Sequence, residues 1–159
     1  MQFRQAEAAD AQEIFALYRS LLGQEGVTWN EEYPSPEIVQ EDLEEQGLFC
    51  LTDGGRIVAA VSAVCDDDLD DHPGWDAKLV PAVMIERVGV LQEYQNRGLA
   101  KQAIRLVLAE MKKRGFRAAR YLVGVKNFRA QAAYRGLGFR PAGEAEAYGE
   151  HWLCFELAL

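Results

Sequence analysis

The chain has 159 residues, 49% hydrophobic and 26% charged, with a formal net charge of −8. Such a length and balance suit one soluble globular domain over 1–159 that needs neither disulfide nor metal, and no apolar run approaches the length of a membrane span. Charge is unevenly spread: residues 1–80 carry 4 Lys/Arg against 18 Asp/Glu, and residues 81–140 carry 13 against 3. Nucleic-acid affinity rests on neutralising phosphates, so an acidic chain with one basic third points away from nucleic acid and toward a small polyanionic ligand.

Phe3 and its neighbours read as a first strand. The opening residues, MQFRQAEAAD, lack the apolar run of a secretory signal. Asp10 is placed to cap a helix, with Glu13 as its capping-box partner. Ile14, Phe15, Tyr18, Leu21 and Leu22 follow at helical spacing as far as Gly23. Ser35-Pro36 opens a second helix carrying Ile38, Val39 and Leu43, which stops near Gly47. Leu48 to Leu51 and Ile57 to Val64 are strands joined by the hairpin signal Asp53-Gly54-Gly55.

An acidic loop spans Asp66 to Pro81. Its run Asp66-Asp67-Asp68-Leu69-Asp70-Asp71 reads as a solvated face, with attraction of a cationic amine as the functional alternative, and His72 reads as solvated. Val83 to Val90 is a strand, Leu99 to Arg114 a helix with Ala103, Ile104, Val107, Leu108 and Met111 on one side, and Ala118 to Val125 a strand. Arg129 to Gly136 is a short helix, and strands from Phe139 and from His151 to Leu159 close the chain. The order β-α-α-β-β-β-α-β-α-β-β predicts a mixed α/β fold with a central, mostly antiparallel sheet and a parallel pair around the long helix. Cys50, Cys65 and Cys154 are odd in number, widely spaced and without a His/Cys ligand cluster, which points away from zinc and toward reduced thiols in a cytoplasmic protein.

The segment Gln95-Asn96-Arg97-Gly98-Leu99-Ala100 stands between a strand and a helix N-terminus. The first N–H groups of a helix lack internal partners and carry partial positive charge, and a glycine lets an anion approach the main chain. The segment therefore predicts a phosphate cradle. No P-loop, dinucleotide fingerprint or nucleophile elbow competes with it.

In this order, Gln95 to Ala100 and Asn127-x-x-Ala130-x-x-x-Tyr134-x-x-Leu137-Gly138-Phe139 resemble the two cofactor-side motifs of the GNAT superfamily of acyl-CoA-dependent N-acyltransferases. The Tyr148-Gly149-Glu150-His151 ending is similar to a common GNAT C-terminus. The resemblance implies a sheet whose parallel pair splays, so that the strand holding Val88, Gly89 and Val90 parts from Tyr121 to Val125. Gly89 within that strand suggests a bulge or a close approach. By the same resemblance Val88 and Val90 offer backbone groups to pantetheine, and the Val90 N–H polarises the thioester carbonyl and stabilises the oxyanion. The amides of Arg97 to Lys101 hold the pyrophosphate, with charge from Arg97, Lys101 and Arg105. Asn127 braces the short helix and contacts the pantetheine.

Tyr134 is the expected acid that protonates the departing thiolate, against a reading as an aromatic core anchor. Glu86 is the expected base, acting through water and alternating with Val88 and Val90 on one face, against a reading as an ion pair with Arg87. Glu150 and His151 are the other candidate bases, His151 also being placed to pair with Glu150. The expected reaction is direct acetyl transfer from acetyl-CoA to a primary amine of a small molecule in a ternary complex. A protein N-terminus or lysine is the second acceptor class, and a non-catalytic acyl-CoA-binding module the reading from another class. Family likeness further implies a homodimer, and an acceptor pocket built by the first two helices, the 66–81 loop and the last hairpin.

Overall fold

The computed structural model describes residues 1–66 and 69–159; Asp67 and Asp68 of the acidic run lie outside the described residues. Seven strands form one sheet: β1 (Gln2–Gln5), β2 (Leu48–Asp53), β3 (Arg56–Val64), β4 (Ala82–Val90), β5 (Ala118–Gly124), β6 (Arg140–Ala147) and β7 (Glu150–Ala158). Their spatial order is β1-β2-β3-β4-β5-β7-β6. Only β4 and β5 run parallel; every other neighbouring pair is antiparallel. The four helices are α1 (Ala11–Ser20), α2 (Pro36–Glu44), α3 (Leu99–Lys113) and α4 (Phe128–Tyr134). The chain order is the expected one, with two 3-10 turns added at Ala8–Asp10 and Gln92–Tyr94.

Eight consecutive residues of β3, Ile57 to Val64, are buried. A strand buried throughout needs cover on both faces, and both α1 and α3 pack on β3. The apolar stripe of α3, from Leu99 through Ile104 and Val107 to Met111, supplies one layer.

The second helix begins as its sequence dictates: Ser35 Oγ accepts the Ile38 N–H at 3.2 Å, and Pro36 takes the first helical position. The first helix differs. The capping box lies one turn earlier, with Glu7 as its cap and Asp10 reaching back to the Glu7 N–H at 2.7 Å. Arg4 draws Asp10 there with a fork at 2.6 and 2.9 Å. Glu13, freed from capping, accepts the Ile57 N–H at 2.8 Å instead.

Two features of β4 shape everything around it. Its pairing with β5 covers only Ala82↔Ala118, Val83↔Ala119 and Met84↔Arg120, after which the two strands part opposite Tyr121. Its register with β3 slips between Ala60↔Gly89 and Ser62↔Glu86, so that Arg87 and Val88 together oppose Val61. The bulge thus falls at Arg87–Val88 rather than at Gly89, and Arg87 takes a φ of +46°. A Cβ on Gly89 would lie 2.8 Å from Leu17 Cδ2 and 3.1 Å from Tyr18 Cδ1, so this glycine admits α1 against the strand.

Candidate active site

The parting of β4 and β5 opens a cavity of about 900 Å3. Leu21 and the 27–33 segment wall one side, Ile38, Glu41, Asp42 and Glu45 of α2 another. Ile85, Glu86, Arg87 and Val88 of β4 face Leu122 to Gly124 of β5, with Asn127 and Tyr134 from the α4 region and Tyr148, Glu150 and Trp152 from the last hairpin. Of the expected walls, α2 and the last hairpin line the cavity, while in place of α1 itself the segment after it does so. Among the described residues of the acidic loop, Asp66 alone lines this cavity; with Cys65 before it, Asp66 also borders a separate cavity of about 670 Å3, framed by residues between Asp70 and Ala82 and by Arg120. His72 is not merely solvated: its Nε2 meets the Glu144 carbonyl at 2.9 Å and its ring packs on Trp75.

Val90 stands where the strands have separated. Leu91 N–H donates to Val58 O at 3.0 Å, and Ala59↔Val90 is the next pair along. In an antiparallel ladder bonded and non-bonded pairs alternate, so the Val90 N–H and C=O turn from β3 toward the gap. Gln95 Nε2 donates to that carbonyl at 2.9 Å. The Gln95 oxygen in turn accepts from Arg129 at 2.6 Å, tying the turn before α3 to α4 across the gap. Gly89, one residue earlier, falls in the alternate pair and faces Ala60.

The cradle itself is open. Gly98 caps α3 with φ +75° and ψ 10°, a conformation glycine adopts without the penalty a Cβ brings, and Asn96 before it has φ +61°. No side chain caps this end of α3, and a Cβ on Gly98 would meet nothing within 4 Å. The amides of Leu99, Ala100 and Lys101 stand in the first turn, ahead of the Gln102 N–H that donates to Gly98 O, and an uncapped helix start of this kind fits a bound anion. Arg97 bends back, donating to Glu93 O at 2.7 Å and lying over the Tyr94 ring; Lys101 is half-buried and Arg105 exposed.

Asn127 caps α4, its Oδ1 accepting the Ala130 N–H at 3.0 Å. That short helix delivers Tyr134 into the cavity, buried and stacked on Tyr121 with ring centroids 3.6 Å apart. Burial raises the Tyr134 hydroxyl well above the ordinary phenol range, and Tyr121 and Glu86 add to the rise. Both readings of Tyr134 thus meet in one place, a packed aromatic that also faces the cavity.

Glu86, Arg87 and Val88 all line the cavity, because the inserted residue breaks the simple alternation. Arg87 Nη1 donates to Glu86 Oε2 at 2.5 Å, the ion pair that sequence alone allows. Burial pushes the Glu86 carboxyl up to about 7, with Arg87 opposing and Asp66 and Asp42 reinforcing the rise. A carboxyl poised there can take up and release a proton near neutrality. His151 pairs with Glu144 at 2.7 Å and with Glu146, not with Glu150. Asp42, Tyr33 and Arg129 escape a reading by motif. Asp42 had a signal: it lies four residues after Ile38 and three after Val39, on the apolar stripe of α2, where a carboxylate requires a cation.

Among the described residues no cluster of three His, Cys, Asp or Glu side chains is placed to hold a metal, and no helix is long and apolar enough to cross a membrane. The model of the acetyltransferase (GNAT) family matches residues 13–139. No curated protein matches the chain. Solved structures share its fold. A ribosomal-protein-alanine N-acetyltransferase from Brucella melitensis is similar with a TM-score of 0.78 at 17% identity over 100% of both chains. YncA from Salmonella typhimurium, solved with its cofactor acetyl-CoA, has a TM-score of 0.77 at 16% identity over 100% of this chain and 94% of its own. The ribosomal-protein-S18-alanine N-acetyltransferase from Escherichia coli has 0.74 at 19% over 99% and 92%.

Proposed function

Because the chain belongs to the acetyltransferase (GNAT) family, we propose that it transfers the acetyl group of acetyl-CoA to a primary amine of a small, cationic molecule by direct attack in a ternary complex. The observation that carries this reading is the charge of the cavity. Among the described residues lining it, Glu41, Asp42, Glu45, Asp66, Glu86 and Glu150 face one cation, Arg87. A cleft lined by acidic side chains concentrates ammonium ions. Its volume of about 900 Å3 lies within the roughly 300–1,000 Å3 typical of small-molecule sites.

The residues at the open end of α3 and along the splayed strand fit acetyl-CoA. Arg97 to Lys101 would hold the pyrophosphate, and Val88, Val90 and Asn127 the pantetheine. When bound, acetyl-CoA supplies an activated acyl group, so that a C–N bond forms as a C–S bond breaks. Glu86 takes the proton that the ammonium must lose, through water, and Tyr134 gives its proton to the departing sulfur. The Val90 N–H, turned toward the gap, is the donor aimed at the carbonyl oxygen. Family likeness also supports a homodimer, which sedimentation equilibrium tests.

Thiol release from acetyl-CoA over an amine panel tests the acceptor. The panel holds monoamines, diamines such as 1,4-diaminobutane, amino acids, and peptides with a free N-terminal alanine or an internal lysine. Turnover greatest on the small di-cations is expected. Turnover confined to peptides would move the acceptor to proteins, and CoA binding without turnover on any amine would leave a binding module; either overturns the small-amine reading.

A further inference from the structure

We propose that Asp42 and Arg87 are positioning residues that together hold the Glu86 carboxylate and fix how much positive charge it receives. The inference rests on the reading of Glu86 as proton acceptor.

The geometry is a fork and a branch. Arg87 Nε and Nη2 donate to the two oxygens of Asp42 at 2.8 and 2.7 Å. The remaining nitrogen, Nη1, donates to Glu86 Oε2 at 2.5 Å and to the Tyr33 hydroxyl at 2.9 Å. Asp42 is anchored from the sheet by Ser62 Oγ, which donates to it at 2.5 Å. The Arg87 and Asp42 side chains are only 7% and 5% exposed, against 20% for Glu86. Arg87 is also the inserted residue of the bulge, at φ +46°, a region non-glycine residues rarely occupy without surrounding restraint.

One guanidinium therefore serves two carboxylates, and it serves them unequally. Asp42 takes the planar fork, the strongest arrangement available to an arginine. Glu86 is left with the remaining nitrogen, Nη1, which also donates to the Tyr33 hydroxyl. Were Arg87 devoted to Glu86 alone, the carboxylate would be fully compensated and a poor base. Without Arg87 it would be buried against like charge and stay protonated. The groups facing Glu86 come from every side: Arg87 on its own strand, Asp66 after β3, Asp42 on α2, Tyr33 before α2 and Tyr134 on α4. Among them Asp42, through the fork, and Tyr33, through Nη1, compete with Glu86 for the cation.

The test needs no substrate. Protein carrying 13C at the glutamate carboxyl carbons is titrated by NMR, and the Glu86 signal is assigned by its loss in Glu86→Gln. In Asp42→Asn the fork loses its charge, Arg87 turns to Glu86, and the Glu86 midpoint falls by on the order of one pH unit. Tyr33→Phe, which removes one acceptor from Nη1, gives a smaller fall in the same direction and serves if Asp42→Asn does not fold. A Glu86 midpoint unmoved in the folded variants overturns the inference. Retention of the acid limb of kcat/KM in Glu86→Gln, read with the amine the panel selects, overturns instead the proton-acceptor reading beneath it.

Discussion

The Tyr134 ring lies flat on Tyr121, centroids 3.6 Å apart and planes 11° from parallel, and Tyr121 is in turn stacked on Phe155 of β7 at 4.8 Å. This column pins a helix of only seven residues, which could not hold its own conformation, against the sheet. It also predicts how the two roles of Tyr134 separate. In Tyr134→Phe the stack survives and the proton donor is lost. The thermal midpoint should hold, while kcat falls by about 100-fold; stopped-time thiol assays beside a melting curve check both.

Glu86 sets a pH dependence whose sign can be stated. A proton acceptor must be ionised, so kcat/KM should rise with pH through about 7 and then level. Stability should run the other way. A carboxyl whose folded value of about 7 lies above its ordinary 4.5 adds stability below 4.5 that is lost progressively as pH rises to about 7. Denaturation of wild type and Glu86→Gln at pH 4.5 and 8 reads this directly: relative to the variant, wild type should weaken between the two.

Two glycines should respond to alanine for different reasons. At Gly89 the added Cβ meets Leu17, Tyr18 and Leu21 at 2.8 to 3.2 Å, inside the packing of α1 on β4. Overpacking of this kind costs roughly 1–3 kcal/mol, visible as a lower urea midpoint. At Gly98 there is nothing to meet, but φ is +75°. Gly98→Ala should cost about 1 kcal/mol and raise the KM for acetyl-CoA, because the methyl group enters the space beside the α3 amides.

Thiol chemistry offers an independent check on the core. Cys50 and Cys154 are buried and Cys65 is exposed. Burial pushes the Cys50 thiol up to about 11 and raises Cys154 as well, and a protonated, buried thiol reacts slowly. A disulfide reagent at pH 8 should therefore titrate one thiol in the native protein and three in guanidinium; rapid reaction of two or more in the native protein would contradict this packing.

Much of the fold is legible in order along the chain. The nearly unbroken apolar run from Ile57 to Val64, the Ser35-Pro36 start and the stripe from Leu99 to Met111 are local signals, readable because each lies within one contiguous element. The cradle at Gly98 is legible for the same reason: strand, turn and helix are contiguous. The cap of α1 is not legible in this way, because Arg4, on the preceding strand, competes for Asp10. Of the two readings that Gly89 allows, the close approach holds, with α1 packed on it, whereas the bulge belongs to Arg87, whose positive φ no propensity predicts.

What the sequence by itself determined is the half of the protein made of contiguous signals: the element order and the glycine turn that starts α3. Only the tertiary structure decided the other half. Asp42 and Arg87 are 45 residues apart, and Gln95 and Arg129 are 34 apart. Which cation compensates Glu86, and how completely, depends on α2 lying beside a bulged strand. The acidic lining of the cavity likewise gathers α2, β4 and the last hairpin. The physical reason is range: hydrogen bonding along a helix or turn acts between near neighbours in the chain, whereas a buried charge answers to whatever the packing brings within a few ångströms.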